Sequence, residues 1–357
     1  MRFLTISLFL ISVILFFSVN ISPEVLPYAG LMPLLIPLVI GLNLLFLVVL
    51  IMAKRKLLIV PLIALILGWK FVVVTFQWNS PLDADKKLEV LSYNVHLFNY
   101  AAKGTEVNTH RENVFRWIRE HPAEVKCLQE MYQDYTTPTH NAIKRLSEEG
   151  KINYSYHVIS GDEKRKSVGI GIFSKFPIIN EGKIFDNKVN NGVIFVDIKV
   201  DKDTLRIYNG HLESMSIDAA GLANVEGIRE NYRETLKRLK KGINSRAAQV
   251  NILNEHIQNS PHPVIIMGDF NDVPFSYTYF TFRKILDNAF EKGGKGFGFT
   301  FNRVLVFLRI DHIFNDMDLE VIQFKTHKEV DYSDHFPISA SYTWSSPFKS
   351  SSIDDID

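Results

Sequence analysis

A single cysteine, Cys127, among 357 residues rules out an intramolecular disulfide and any zinc site built from several thiolates. The chain is therefore suited to an oxidising or a reducing compartment alike. Charge bias is missing too: 40 Lys and Arg face 39 Asp and Glu, so no global field draws the chain to nucleic acid or anionic lipid. The glycines from Gly293 to Gly298 are not followed by Gly-Lys-Ser/Thr at P-loop spacing, which excludes that phosphate cradle. No internal repeat of short period stands out.

What the chain has in excess is apolar sequence at one end. Phe3 to Val19, Leu31 to Met52 and Leu57 to Phe76 are three nearly unbroken runs of Leu, Ile, Val and Phe. Each approaches the ~20 residues a helix needs to cross a bilayer. A cleavable signal peptide fits poorly, because Phe17-Ser18-Val19 is not a small-residue cleavage site and two more runs follow. The expectation is a membrane region over residues 1–80 with three transmembrane helices (about 3–19, 31–52 and 57–76). Arg2 precedes the first run, Asn20 to Gly30 carries no Lys or Arg, and Lys54-Arg55-Lys56 joins the second run to the third. By the positive-inside rule the N-terminus is then cytoplasmic. Three crossings place the rest of the chain outside the inner membrane, facing the periplasm.

Residues 81–87 read as a polar linker. From Leu88 onward short apolar runs alternate with amphipathic stretches, the pattern of an α/β domain extending to Thr343. Leu88 to Tyr93, Val125 to Leu128, Val168 to Phe173, Gly192 to Val200, Thr204 to Tyr208, Val264 to Met267, Arg309 to Phe314 and Ile338 to Tyr342 are strand candidates. Arg111 to Glu120 is a predicted helix. A longer amphipathic stretch holds Leu236, Leu239, Ile243, Ala247, Val250 and Ile257 at helical spacing, with Gly242 as a candidate break. Residues 344–357 are rich in Ser and Asp and read as a disordered tail.

Polar residues competent for metal or proton chemistry sit where these apolar runs end: Asn94, Glu130, His211, Asp269 with Asn271, Asp311, and Asp334 with His335. A strand end delivers its side chain to one rim of a sheet, so residues distant in sequence can meet there. Carboxylates and an amide suit a hard ion such as Mg²⁺ or Mn²⁺. Two histidines add proton transfer. These are the parts that phosphoester hydrolysis requires.

In order, Ser92-Tyr93-Asn94, Leu128-Gln129-Glu130, Gly171-Ile-Phe-Ser-Lys175, Asn209-Gly-His211-Leu, Gly268-Asp-Phe-Asn271, Arg309-Ile-Asp-His-Ile313 and Ser333-Asp-His335 resemble the motifs of the endonuclease/exonuclease/phosphatase superfamily, the group with the pancreatic-deoxyribonuclease fold. The resemblance covers Leu88 to Thr343 and none of the apolar runs. It implies a four-layer α/β sandwich, two mixed sheets face to face with helices outside. It also implies Glu130 as the principal metal carboxylate, assisted by Asn94 and Asp334. Asp269 and Asn271 would position the attacking water and hold the phosphate. His211 and His335 would flank the scissile phosphate, with Asp311 orienting one of them, and Tyr208 matches a phosphate-contacting tyrosine of some members.

One departure separates this chain from the abasic-site repair branch: His96 stands where those enzymes carry an Asp. They also lack a histidine at the position of His211. The resemblance is closer to the deoxyribonuclease, sphingomyelinase and phosphoinositide phosphatase branches. The expected substrate is a phosphoester, whether phospholipid, small phosphodiester or nucleic acid, and no obligate protein partner is evident. A non-catalytic receptor reusing the fold should have lost some of the metal and histidine positions, and none is missing.

Overall fold

The computed structural model describes residues 1–101, 105–147, 152–189, 191–214, 225–303 and 307–348, with backbone only for 105–108 and 225–232. Its helices in chain order are α1 (Arg2–Ser18), α2 (Ile36–Met52), α3 (Ile59–Leu67), α4 (Trp69–Thr75), α5 (Thr105–Glu120), α6 (Ala142–Ser147), α7 (Val225–Gln258), α8 (Tyr277–Phe282) and α9 (Ala289–Gly293). The strands used below are β1 (Leu88–Asn94), β2 (Val125–Asp134), β3 (Asn153–Gly161), β4 (Lys166–Ser174), β5 (Ile178–Asp186) and β6 (Gly192–Val200). They continue as β7 (Asp203–His211), β8 (Val264–Asp269), β9 (Asp287–Asn288), β10 (Asp311–Asn315), β11 (Glu320–Thr326) and β12 (Ile338–Thr343). The chain divides into two compact units.

The first unit comprises Met1–Trp78 and the described parts of Glu213–Asn254 and Asn271–Lys284. Helices α1 and α2 are tied by a buried amide, Asn43 Nδ2 donating to Ser12 Oγ at 2.8 Å. An interhelical polar bond of this kind suits helices with no water to pair with. Among the described residues, Met32–Met52 is the one helix long and apolar enough to cross a membrane. The third apolar run is a pair, Lys56–Leu67 and Trp69–Thr75, bent by 46°, and α1 is shorter, at 17 residues. The expectation of three equivalent spans is thus reduced to one, or two if the bent pair counts as one. The bend has a local cause at Gly68, where a Cβ would come within 2.8 Å of the Phe16 ring. A kink at glycine lets that ring pack close.

Helix α7 runs unbroken over 34 residues, so Gly242 does not divide it. Its buried face carries Ile243, Ala247, Val250 and Leu253, the three- and four-residue spacing read from the sequence. It packs on the segment joining α1 to α2. Asn251 donates to Glu24, Lys240 lies 4.7 Å from the Tyr28 ring centre, and Ile243 fills the space over Gly30.

The second unit comprises Asn79–Leu212, Glu255–Phe270 and the described part of Ile285–Asp357. It holds two six-stranded mixed sheets, ordered β3-β4-β2-β1-β12-β11 and β5-β6-β7-β8-β10-β9. The pairings match strand for strand. In each sheet one central pair is parallel, β1 with β2 and β7 with β8, and every other pair is antiparallel.

Alternation explains the packing. Leu88 and Val90, Val125 and Cys127, Leu205 and Ile207, and Ile265 and Met267 share one core between the sheets. Tyr93, Leu128 and Met131 face outward against Val114, Phe115 and Ile118 of α5 and Ile143 and Leu146 of α6. Two mixed sheets with helices outside is the expected α/β arrangement.

The expected linker and the first residues of the expected disordered tail are both tied down by hydrogen bonds. Leu82 N donates to Ile322 O and Lys87 N to Tyr342 O, each at 2.9 Å, so residues 81–87 lie along the second unit rather than acting as a free leash. Trp344 Nε1 and Phe348 N both donate to the Asp203 carboxylate, and the two rings stack at 5.5 Å. Only residues 349–357 of the expected tail lie outside the described residues.

Gly268 marks the tightest point of the second sheet. Its φ is +149°, and a Cβ there would stand 1.8 Å from the carbonyl oxygen of its register partner Gly210. Gly268→Ala therefore combines backbone strain with overpacking and should cost on the order of 3 kcal/mol. Thermal unfolding of the purified chain reads this out, and an unchanged midpoint would show that the strands part without cost.

Candidate active site

The inward rows of both sheets change from apolar to polar at the same rim. On β1 the row Leu88, Val90, Ser92 ends in Asn94, and on β7 the row Leu205, Ile207, Asn209 ends in His211. On β8 Ile265 and Met267 lead to Asp269. The register sets His211, Asp269 and Asp311 side by side across three adjacent strands. The C-terminal ends of the two parallel pairs thus deliver Asn94 and Glu130 from one sheet, and His211 and Asp269 from the other.

Glu130 needs a special backbone to get there. Alternation alone would turn it outward, since Gln129 before it faces in. The β2–β4 register slips between Leu128 and Met131, and Glu130 takes a left-handed φ of +50°. This bulge spends one residue to re-aim a side chain, a device common beside active sites. Asn94 then donates from Nδ2 to Glu130 Oε1 at 3.3 Å and to Asp269 Oδ2 at 3.0 Å. His211 Nε2 stands 3.7 Å from the same Glu130 oxygen and 3.6 Å from Asp269.

Beneath the rim lies a feature the sequence reading missed. Gln129 Nε2 donates to Asn209 Oδ1 at 2.7 Å and to Ser92 Oγ at 3.1 Å. Asn209 Nδ2 donates in turn to the carbonyls of Leu128 and Gly171 at 3.0 and 2.8 Å. This fully buried amide bridge joins the two sheets directly below Asn94 and His211. The signal was present: both residues fall in the inward register of strands whose other inward residues are apolar.

At the outer side of the row His335 Nδ1 pairs with Asp311 Oδ2 at 2.9 Å, while its Nε2 stands 3.6 Å from Asp269 Oδ2. Burial works against the imidazolium, but the charges of Asp311 and Asp269 outweigh it and lift the His335 pKa to about 10. Burial, with Asp269 nearby, raises the Asp311 carboxyl against the pull of His335. Asp311 also receives backbone support, since Thr300 Oγ1 accepts from its N–H at 3.2 Å. Ser333 Oγ bonds the Asn94 carbonyl at 2.8 Å, and Asp334 faces His96 Nδ1 at 3.8 Å.

Two groupings can accommodate a cation. Asp269, Asp311 and His335 offer atoms within 4.8 Å of one another, but an imidazolium held by two carboxylates has no lone pair to give. Glu130 and Asp269 fit better: two carboxylates converge on one neutral amide, and Glu130 keeps 25% of its side-chain surface exposed for entry. In this state Asn94 presents its N–H₂ to them while Oδ1 accepts from His96 N.

Tyr208 is not brought to this cluster. Three residues from His211 on a strand puts it on the opposite face, where its hydroxyl bonds His256 Nδ1 at 2.8 Å beside Phe195. Asn271, with a left-handed φ of +51°, follows Asp269 in the chain and belongs to the first unit. There Arg246 of α7, almost fully buried, binds Asp272 Oδ2 at 3.0 Å and the Glu213 carbonyl at 2.6 Å. It clasps the segments that follow His211 and Asp269 in sequence, another residue the motifs did not reveal.

The motifs and the family comparison agree. Residues 91–335 match the endonuclease/exonuclease/phosphatase family. This chain belongs to that family. Residues 1–75 match a separate domain of unknown function, DUF8431. No curated protein matches in sequence.

Solved structures share the fold. The human Nocturnin catalytic domain with bound sulfate is 18% identical, with a TM-score of 0.53 over 74% of this chain and 97% of that one. An endonuclease/exonuclease/phosphatase from Beutenbergia cavernae is 16% identical, TM-score 0.52, over 73% and 72%. A conserved protein of Enterococcus faecalis is 15% identical, TM-score 0.51, over 72% and 100%.

If geometry decides, Tyr208→Phe leaves specific activity near that of the parent chain, whereas His211→Ala loses on the order of 10²-fold or more. A phosphoester assay of both variants checks this. Comparable losses would put Tyr208 back at the reacting phosphate.

Proposed function

We propose that this chain is a divalent-metal-dependent phosphoester hydrolase working at the outer face of the cytoplasmic membrane, with a phospholipid headgroup or small phosphodiester as substrate. The observation that carries the reading is the convergence of Asn94, Glu130, His211 and Asp269 from two parallel strand pairs onto one rim beside the Asp311–His335 pair. Glu130 would hold the metal, assisted by Asn94 and Asp334 and with the Asp269 carboxylate close by, and a bound Mg²⁺ or Mn²⁺ would neutralise phosphate charge. Asp269, between two histidines, orients or deprotonates the attacking water. His211 contacts the phosphate oxygens. His335, held as an imidazolium and oriented through Nδ1 by Asp311, presents Nε2–H as donor to the phosphate or the leaving oxygen.

Membrane attachment is supported by Met32–Met52 and by the apolar side chains exposed along the first unit, among them Leu38, Leu44, Leu45, Ile63 and Ile66. Exposed apolar area of that extent marks a lipid or partner surface. Orientation follows from which end of the helices carries polar chain. Contacts of α7 and α8 fall on Glu24, Tyr28, Gly30 and Phe71, whereas Lys54, Arg55 and Lys56 lie in the loop between α2 and α3, at the other end. With those three cations cytoplasmic, α7 and α8 lie outside, and the bent α3–α4 pair makes the second crossing. A reporter active only outside the cytoplasm, fused at the C-terminus, should then give signal. A fusion active only in the cytoplasm would overturn the orientation.

Metal dependence is directly testable. Chelator should abolish turnover and Mg²⁺ or Mn²⁺ restore it, while Glu130→Gln should raise the metal concentration needed and leave thermal unfolding nearly unmoved. Full activity in excess chelator would remove the mechanism.

The lipid preference rests on the membrane attachment and on the lack of net positive charge, since non-specific DNA binding draws most of its affinity from phosphate neutralisation. A panel of vesicle-borne phospholipid, small phosphodiester and duplex DNA should show the first two hydrolysed and DNA cleaved weakly and salt-sensitively. Efficient, salt-resistant DNA cleavage with no lipid turnover would make the chain an extracytoplasmic nuclease.

A further inference from the structure

The backbone just after Asn94 turns the wrong way for L-residues. His96, Leu97, Phe98 and Asn99 take φ values of +44°, +55°, +52° and +51° in succession. Such residues visit this left-handed region singly, because Cβ crowds the following carbonyl oxygen, and bulky ones such as Leu and Phe visit it least. Four in a row persist only where the surroundings over-determine the backbone.

Contacts hold this turn along its whole length. At its start His96 N donates to Asn94 Oδ1 at 3.1 Å. In its middle the buried Phe98 ring stacks on Phe115 of α5 at 4.4 Å. At its end Arg111 of α5, only 4% exposed, donates from Nε to the Phe98 carbonyl at 3.3 Å. Its Nη2 donates to the next carbonyl, that of Asn99, at 3.1 Å. A rigid guanidinium fork suits two successive carbonyls in a way that a point-like ammonium does not. Asn99 Nδ2 in turn donates to the Tyr332 carbonyl at 3.0 Å, two residues before Asp334.

What the turn controls is the Asn94 amide. A backbone N–H can only donate, so the Asn94 atom facing His96 N is its oxygen. Its NH₂ is thereby aimed at Glu130 and Asp269. That bridge draws the two carboxylates together before any cation arrives. If the turn relaxed to ordinary backbone, the His96 N–H would move and the amide could rotate away from them.

We propose that Arg111 is a positioning residue for the metal site, acting through the left-handed turn on the Asn94 amide. The inference rests on the metal site proposed above. Arg111 touches neither metal nor substrate. It keeps the strained turn closed, the turn keeps Asn94 facing the carboxylates, and the carboxylates stay arranged for a cation.

Two measurements without substrate test this on the purified full chain. In the metal-free state, Arg111→Gln should speed hydrogen–deuterium exchange in a peptide spanning residues 95–100 and leave β8 unchanged. By titration calorimetry it should raise the Mn²⁺ dissociation constant on the order of 10-fold, the effect typical of losing the support behind a metal site. In an Asn94→Ala background the same substitution should raise that constant no further. Asn99→Ala removes no buried charge, so it tests the turn even where Arg111→Gln fails to fold, with the same pattern expected in both backgrounds. Unchanged exchange, unchanged Mn²⁺ affinity in the folded variants, or an equal factor with and without Asn94 overturns the inference and leaves the metal site standing. No Mn²⁺ binding by the parent chain removes the metal site and the inference together.

Discussion

Parallel neighbours in a sheet cannot be joined by a hairpin, so the chain must cross back over the sheet between them. Their C-terminal ends consequently emerge on one rim, unencumbered by a tight turn. This chain meets that constraint twice, β1 to β2 through α5 and β7 to β8 through α7. Because the two sheets repeat the same order of pairings, the two rims coincide. The amide and carboxylate of one pair then face the histidine and carboxylate of the other. Everything chemical in the molecule depends on that coincidence.

Holding the rims together is a separate problem. An apolar core gives adhesion without register, and a slip of one sheet against the other would part Glu130 from Asp269. The Gln129–Asn209 bond supplies a directional link at full burial. Unmade, each of its polar groups would cost ~1–3 kcal/mol, which penalises any other alignment. The bulge at Glu130 and the glycine at 268 are local departures from ideal strand geometry, and both fall within the same motifs. Strain concentrated at a functional rim and offset by a regular core is the expected distribution.

The strand pattern and the motif order made the second unit legible: the inward apolar rows and Asn94, His211 and Asp269 at their ends lay where alternation placed them, whereas Glu130 reaches the rim only through its bulge. Tyr208 was misplaced because motif spacing was followed where period two should have ruled, three steps along a strand being the opposite face. The Gln129–Asn209 bridge escaped because an amide in an apolar run looks like an interruption until its partner, 80 residues on, is known. Arg246 was hidden for a related reason: a basic residue on an amphipathic helix reads as solvated surface, and only tertiary contact shows it buried. In the apolar region composition alone overcounted the spans. Helix length and the bend at Gly68 depend on how Phe16 packs, which no hydropathy window contains.

Residues from the two sheets are proposed to act as one catalytic unit. A double-mutant cycle on kcat/KM for a small phosphodiester, using Glu130→Gln and His211→Ala, tests it most directly. Groups acting on one reacting phosphate are strongly non-additive. The double variant should therefore retain about the activity of the weaker single variant. Losses that multiply, each substitution exacting its full factor in the presence of the other, would show that the two side chains work independently and that the rims do not form a single site.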